Sequence, residues 1–122
     1  MLRIMNMRKL IISLVFILLS SFVVLAQRLE GRPSINVSGR NTVGNLPHPV
    51  NHSQEGGVVV VDIWVDNYGN VARAVPGGDG TTVVDKTLYA AARKAALETH
   101  FNMNADAPAM QEGTITYYFN LK

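Results

Sequence analysis

The chain has 122 residues, eleven of them basic and nine acidic, with 48% apolar content and no cysteine. This length allows one small domain and leaves no room for a second sizeable core. The lack of cysteine excludes a disulfide framework, a thiol nucleophile and a lipidated cysteine anchor, so any core must be held by packing alone.

Residues 10–26 (LIISLVFILLSSFVVLA) form an uncharged apolar run preceded by Arg3, Arg8 and Lys9. These are the basic n-region and apolar h-region of an export signal, and small Ala26 before Gln27 marks the expected cleavage position. The alternative is an uncleaved membrane anchor, because the run reaches the short limit of a spanning helix, about 17–25 residues. Three of the basic residues precede position 10 and none of the acidic ones does, so the chain beyond residue 26 carries eight basic against nine acidic residues, a net charge of −1. The basic character belongs to the leader, and the clustered Lys and Arg of a nucleic-acid-binding surface are missing from the rest.

Residues 27–56 carry Gly31, Pro33, Gly39, Gly44, Pro47, Pro49 and Gly56 among polar residues, which reads as a lead-in without regular elements of any length. Pro47 and Pro49 push Leu46 and His48 toward extended backbone, and Leu46 and Val50 are expected to tuck onto the domain. Residues 58–66 (VVVVDIWVD) read as the first strand, with Val59, Val61, Ile63 and Val65 on one face and Val60, Asp62, Trp64 and Asp66 on the other. A turn over residues 66–70 (DNYGN) leads into a second strand over residues 71–75, giving a β-hairpin.

After a glycine-rich loop, Thr82 or Asp85 is placed to cap a helix over residues 85–99 (DKTLYAAARKAALET). Val84, Leu88, Ala91, Ala92, Ala95 and Ala96 recur at spacings of three and four, a stripe for packing on a sheet. His100 reads as a helix C-terminal residue and Phe101 as a core anchor. A polar connection broken by Pro108 precedes the last strand, residues 113–121, in which Ile115, Tyr117, Phe119 and Leu121 alternate with Thr114, Thr116, Tyr118 and Asn120.

The order strand, strand, helix, strand predicts an α+β fold: a three-stranded antiparallel sheet, order 2-1-3, covered by one helix. The last strand is then expected to expose an unpaired outer edge, which a protein must either hide or use.

Taken together, residues 57–66, Gly69-Asn70-Val71, Leu88, Ala91, Ala92, Phe101 and the closing Gly113-Thr114-Ile115-Thr116-Tyr117, with Leu46-Pro47-His48-Pro49 ahead of them, resemble the TonB C-terminal domain family over about residues 44–122. The resemblance implies a periplasmic domain, residues 57–122 with its lead-in, that binds the TonB box of an outer-membrane receptor in TonB-dependent transport. The box adds as a strand beside the family's last strand, here Thr114, Ile115, Thr116, Tyr117, Tyr118, Phe119, Asn120 and Leu121, so that main-chain hydrogen bonds provide affinity. A second reading is a non-transducing envelope interaction or homodimerisation module that uses the same edge.

Two features depart from the family pattern. Residues 27–56 replace a long Pro-rich spacer and span at most about 100 Å. Residues 10–26 contain no His, whereas the family's anchor helix carries one facing its motor partner.

The remaining candidate motifs have ordinary explanations. His48 and His52 are four apart, but the flanking prolines oppose a helix and no third metal ligand lies nearby, so they read as solvated loop residues. Residues 66–70 lack the span and closing Glu of a calcium loop. Residues 77–82 (GGDGTT) lack the Lys of a phosphate-binding loop. No serine sits in a Gly-x-Ser-x-Gly elbow, so neither an enzyme nor a cofactor is expected. Trp64 is expected to cover the sheet's second face, and outward-pointing Tyr118 is the better contact candidate of the tyrosine pair. N-terminal sequencing of the exported protein is expected to begin at Gln27; retention of Met1 would identify the leader as an anchor.

Overall fold

The computed structural model describes residues 32–120; the leader and Leu121 lie outside the described residues. Five elements follow one another: β1 (Ser34–Asn36), β2 (Gly57–Val65), β3 (Val71–Pro76), α1 (Lys86–Leu97) and β4 (Gln111–Phe119). Every pairing is antiparallel, and the sheet order is β1-β4-β2-β3. The fold is therefore α+β, with one helix against a sheet of four strands rather than three. The predicted 2-1-3 arrangement of the long strands is present as β3-β2-β4. The fourth strand, β1, arises inside the stretch read as lead-in and lies on the outer side of β4, where a free edge was expected.

The β2–β4 ladder is the centre of the sheet and runs without interruption from Gly57↔Phe119 to Val65↔Gln111. Its helix-facing side carries Val59, Val61, Ile63, Val65, Ile115, Tyr117 and Phe119, all buried. Leu88, Ala92, Ala95 and Ala96 of α1 join them in one core cluster. Small alanines let the helix backbone approach the sheet, and its helical spacing buries one stripe. Val84, expected in that stripe, is 93% exposed and precedes the helix.

Asp85 starts α1 by accepting hydrogen bonds from the Thr87 and Leu88 amides at 2.8 and 3.1 Å. Its other carboxylate oxygen accepts from Ser53 Oγ at 2.7 Å. The Ser53 bond, followed by the backbone bonds, holds the Asp85 carboxyl below its ordinary value.

The hairpin contains a β-bulge: Trp64 pairs with Arg73 and Val65 with Val71, leaving Ala72 as the extra residue. This is why Val71 and Ala74, three apart, both face the core. Asp66 closes the turn, its Oδ1 accepting from the Tyr68 and Asn70 amides at 3.0 and 2.9 Å.

Gly69 adopts φ +94°, and a Cβ there would stand 1.9 Å from the Phe101 carbonyl oxygen. The Phe101 amide donates to the Gly69 carbonyl at 2.8 Å, and Asn70 forms an isolated bridge with His100. His100 is thus tied to the hairpin turn rather than held at the helix end. Gly69→Ala combines an unfavourable backbone conformation with a backbone clash, and is expected to lower stability by more than about 1 kcal/mol, measured by denaturant unfolding.

Candidate functional site

The proposed binding strand lies at the middle of this sheet, not at its bare margin. Thr114, Thr116 and Tyr118 alternate with Ile115, Tyr117 and Phe119 as expected. Ile115 and Tyr117 are buried, whereas Tyr118 is 40% exposed. On its inner side the strand pairs with β2, and on its outer side Thr114, Ile115 and Thr116 pair with Asn36, Ile35 and Ser34. The expectation of an unpaired edge along Thr114–Leu121 is therefore corrected at its first three positions. The sequence hides β1 because three residues are too few to display a period of two. Beyond Thr116, no described residue pairs with the outer side of Tyr117, Tyr118 and Phe119.

β1 is held by residues on both sides of it. Val37, just past the strand, is buried in the core cluster, and Ile35 packs against that cluster. Arg40 is 6% exposed, with Nη1 donating to the Asn102 carbonyl at 2.8 Å and Nη2 to the Asp66 carbonyl at 3.0 Å. Thr42 bridges Phe101, and the Val43 amide donates to the His100 carbonyl at 2.9 Å. Residues 37–43 are therefore part of the domain and tie the hairpin turn to the helix exit. Leu46 is half-buried as expected, while Val50 is 61% exposed.

The face of the sheet away from α1 carries Val60, Asp62, Trp64, Thr114, Thr116 and Tyr118. Arg73 lies over the Trp64 ring, 4.7 Å from its centroid, so the indole is itself partly covered by a cation–π contact. The glycine-rich loop after β3 continues the pairing of β2: Thr81 Oγ1 and Thr82 Oγ1 accept from the Val60 and Val58 amides at 3.0 and 2.9 Å. Gly77 and Gly78 donate to the Val60 carbonyl at 3.0 and 2.9 Å. These residues, weighed in the sequence as a phosphate loop, act as a substitute strand.

His48 and His52 are exposed and line an open groove of about 660 Å³ between the lead-in and α1, with Pro49, Lys86, Ala91 and Lys94. Among the described residues no three His, Asp or Glu side chains gather closely enough to hold a metal ion. No protein-family model, curated protein or solved structure matches the chain.

Tyr117 is the largest fully buried side chain, and burial pushes its phenol up to about 12. Thr99 Oγ1 donates its proton to the Ala95 carbonyl at 2.8 Å, and Tyr117 Oη has no hydrogen-bond partner among the described residues. The raised value means that the neutral phenol's contribution to stability is complete below about pH 10 and is lost as pH rises toward 12. Tyr117→Phe is expected to flatten that loss, and to leave stability at neutral pH unchanged or raised by up to about 1 kcal/mol, because it removes an unpartnered buried hydroxyl. Denaturant midpoints measured from pH 7 to pH 12 check both effects.

Proposed function

We propose that this chain is a periplasmic TonB-type domain that binds the TonB box of an outer-membrane receptor by strand addition, in TonB-dependent transport. The observation that carries this reading is β4 itself. It is a long, well-supported strand with buried alternate residues, and the outer side of Tyr117–Phe119 is paired with no described residue. The strand–strand–helix–strand order of the long elements and the resemblance of residues 57–71 and 113–117 support the same assignment. Backbone groups on such an edge recognise extended peptides irrespective of sequence, and exposed Tyr118 adds a side-chain contact beside them. No enzymatic role or cofactor is part of the reading.

A second reading, envelope interaction or homodimerisation through the same edge without force transmission, draws support from where the domain begins. The compact unit starts at Arg32. An uncleaved anchor ending at Ala26 would leave residues 27–31 as tether, at most about 18 Å when fully extended. Binding is therefore the part of the family's task for which this chain is equipped.

Titration of a TonB-box peptide into the isotope-labelled chain is expected to move amide signals of residues 114–120, and Tyr118→Ala is expected to weaken binding several-fold without changing the fold. Shifts confined to the turn at residues 66–70 would sink the assignment.

A further inference from the structure

The outer edge of β4 already holds a short strand with the character of a ligand. Ser34, Ile35 and Asn36 pair with Thr116, Ile115 and Thr114. Ile35 and Val37, two apart, turn toward the core, while Ser34 and Asn36 are exposed. The opposite strand is shaped for this occupant. At Gly113 a Cβ would stand 2.6 Å from Val37 Cγ2 and 2.7 Å from the Asn36 carbonyl oxygen, so only bare backbone lets the segment close.

The holding forces are uneven along this segment. Gln111 Nε2 donates to the Ser38 carbonyl, Arg40 is fixed by the Asn102 and Asp66 carbonyls, and Thr42 bridges Phe101. Residues 40–42 thus form a fixed stem, to which Ser38 is joined through Gly39 and held only by the single Gln111 side-chain bond. In front of the stem, β1 rests on three register pairs and two apolar anchors, with Gly39 in a turn at φ +69° behind it. Short edge segments of this kind open at far lower free energy than the central ladder.

We infer that residues 34–37 are a resident strand that occupies the β4 edge until an incoming strand displaces them, the segment pivoting at residues 38–39 while the Arg40 stem stays in place. This rests on the strand-addition reading above and adds its regulation. The displacing segment must present apolar, β-branched side chains two residues apart to refill the places of Ile35 and Val37, with polar residues between. Gly113 is then the position that sets this specificity. An occupant that must leave first lowers apparent affinity by the fraction of molecules whose edge is open, so the strand acts as a threshold against weak ligands.

The chain has no cysteine, so Ser34→Cys with Thr116→Cys introduces a single pair of thiols at directly opposed positions. Cα atoms of opposed antiparallel residues lie within the range a disulfide spans. The probe is a labelled synthetic peptide copying residues 32–40, tested on the full chain.

The reduced double variant is expected to bind this peptide at least about tenfold more tightly than the oxidised one, and Ile35→Asp, which releases β1 without altering β4, more tightly still. Unchanged amide signals from α1 and the hairpin establish that each variant keeps the fold. Equal affinity in oxidised and reduced forms, or no binding to the Ile35→Asp chain, would overturn the inference. If the 32–40 peptide behaves as expected and a TonB-box peptide binds neither form, the resident strand stands and the receptor assignment falls.

Discussion

The pairing of β2 with β4 is the constraint from which the rest of the domain follows. It joins residues 57–65 to residues 111–119 across the hairpin and the helix, so its loop-closure cost must be met by contacts that form together with it. The alternate residues of both strands provide them, meeting the alanine stripe of α1 in one cluster. The Gly69–Phe101 backbone contact then fixes the turn of the hairpin to the exit of the helix, and Arg40 secures the same corner from a third segment. Little else in a domain without cysteine could hold these pieces in register.

The long elements were legible because they repeat their pattern several times. Residues 58–66 show four apolar residues at a period of two, and residues 88–96 show the helical spacing often enough to reveal a face. Local chemistry also narrowed the helix cap to Thr82 or Asp85, of which Asp85 caps while Thr82 pairs with Val58, and marked the turn over residues 66–70. What the sequence concealed depends on tertiary contact. Nothing about Ser34-Ile35-Asn36 marks it as a strand except the missing Cβ of Gly113 and the anchoring of Ser38 and Arg40 elsewhere in the fold. The bulge at Ala72 is similar, since it replaces the expected alternation by two buried residues three apart. Val84 shows the opposite error: its spacing fits the helical stripe, but capping by Asp85 begins the helix after it.

The candidate site divides along the same line. Its inward and outward residues, Tyr117 and Tyr118 above all, could be assigned from alternation alone. Whether its edge was vacant could not, because vacancy is a property of the whole chain rather than of the strand. The lead-in that appeared to be a tether contributes a strand, a core valine and a buried arginine, which shortens any possible spacer as it completes the sheet.

The opposite margin of the sheet is built to resist extension. β3 is interrupted by the bulge at Ala72 and ends at Pro76, which has no amide hydrogen to donate. Both devices discourage another strand from aligning there. Addition at the β4 side, as proposed above, with the β3 side opposed to it, would give assemblies of fixed number. Two copies meeting there would close on each other as a pair, and a single bound peptide would complete the sheet, whereas a filament would need both margins to be receptive.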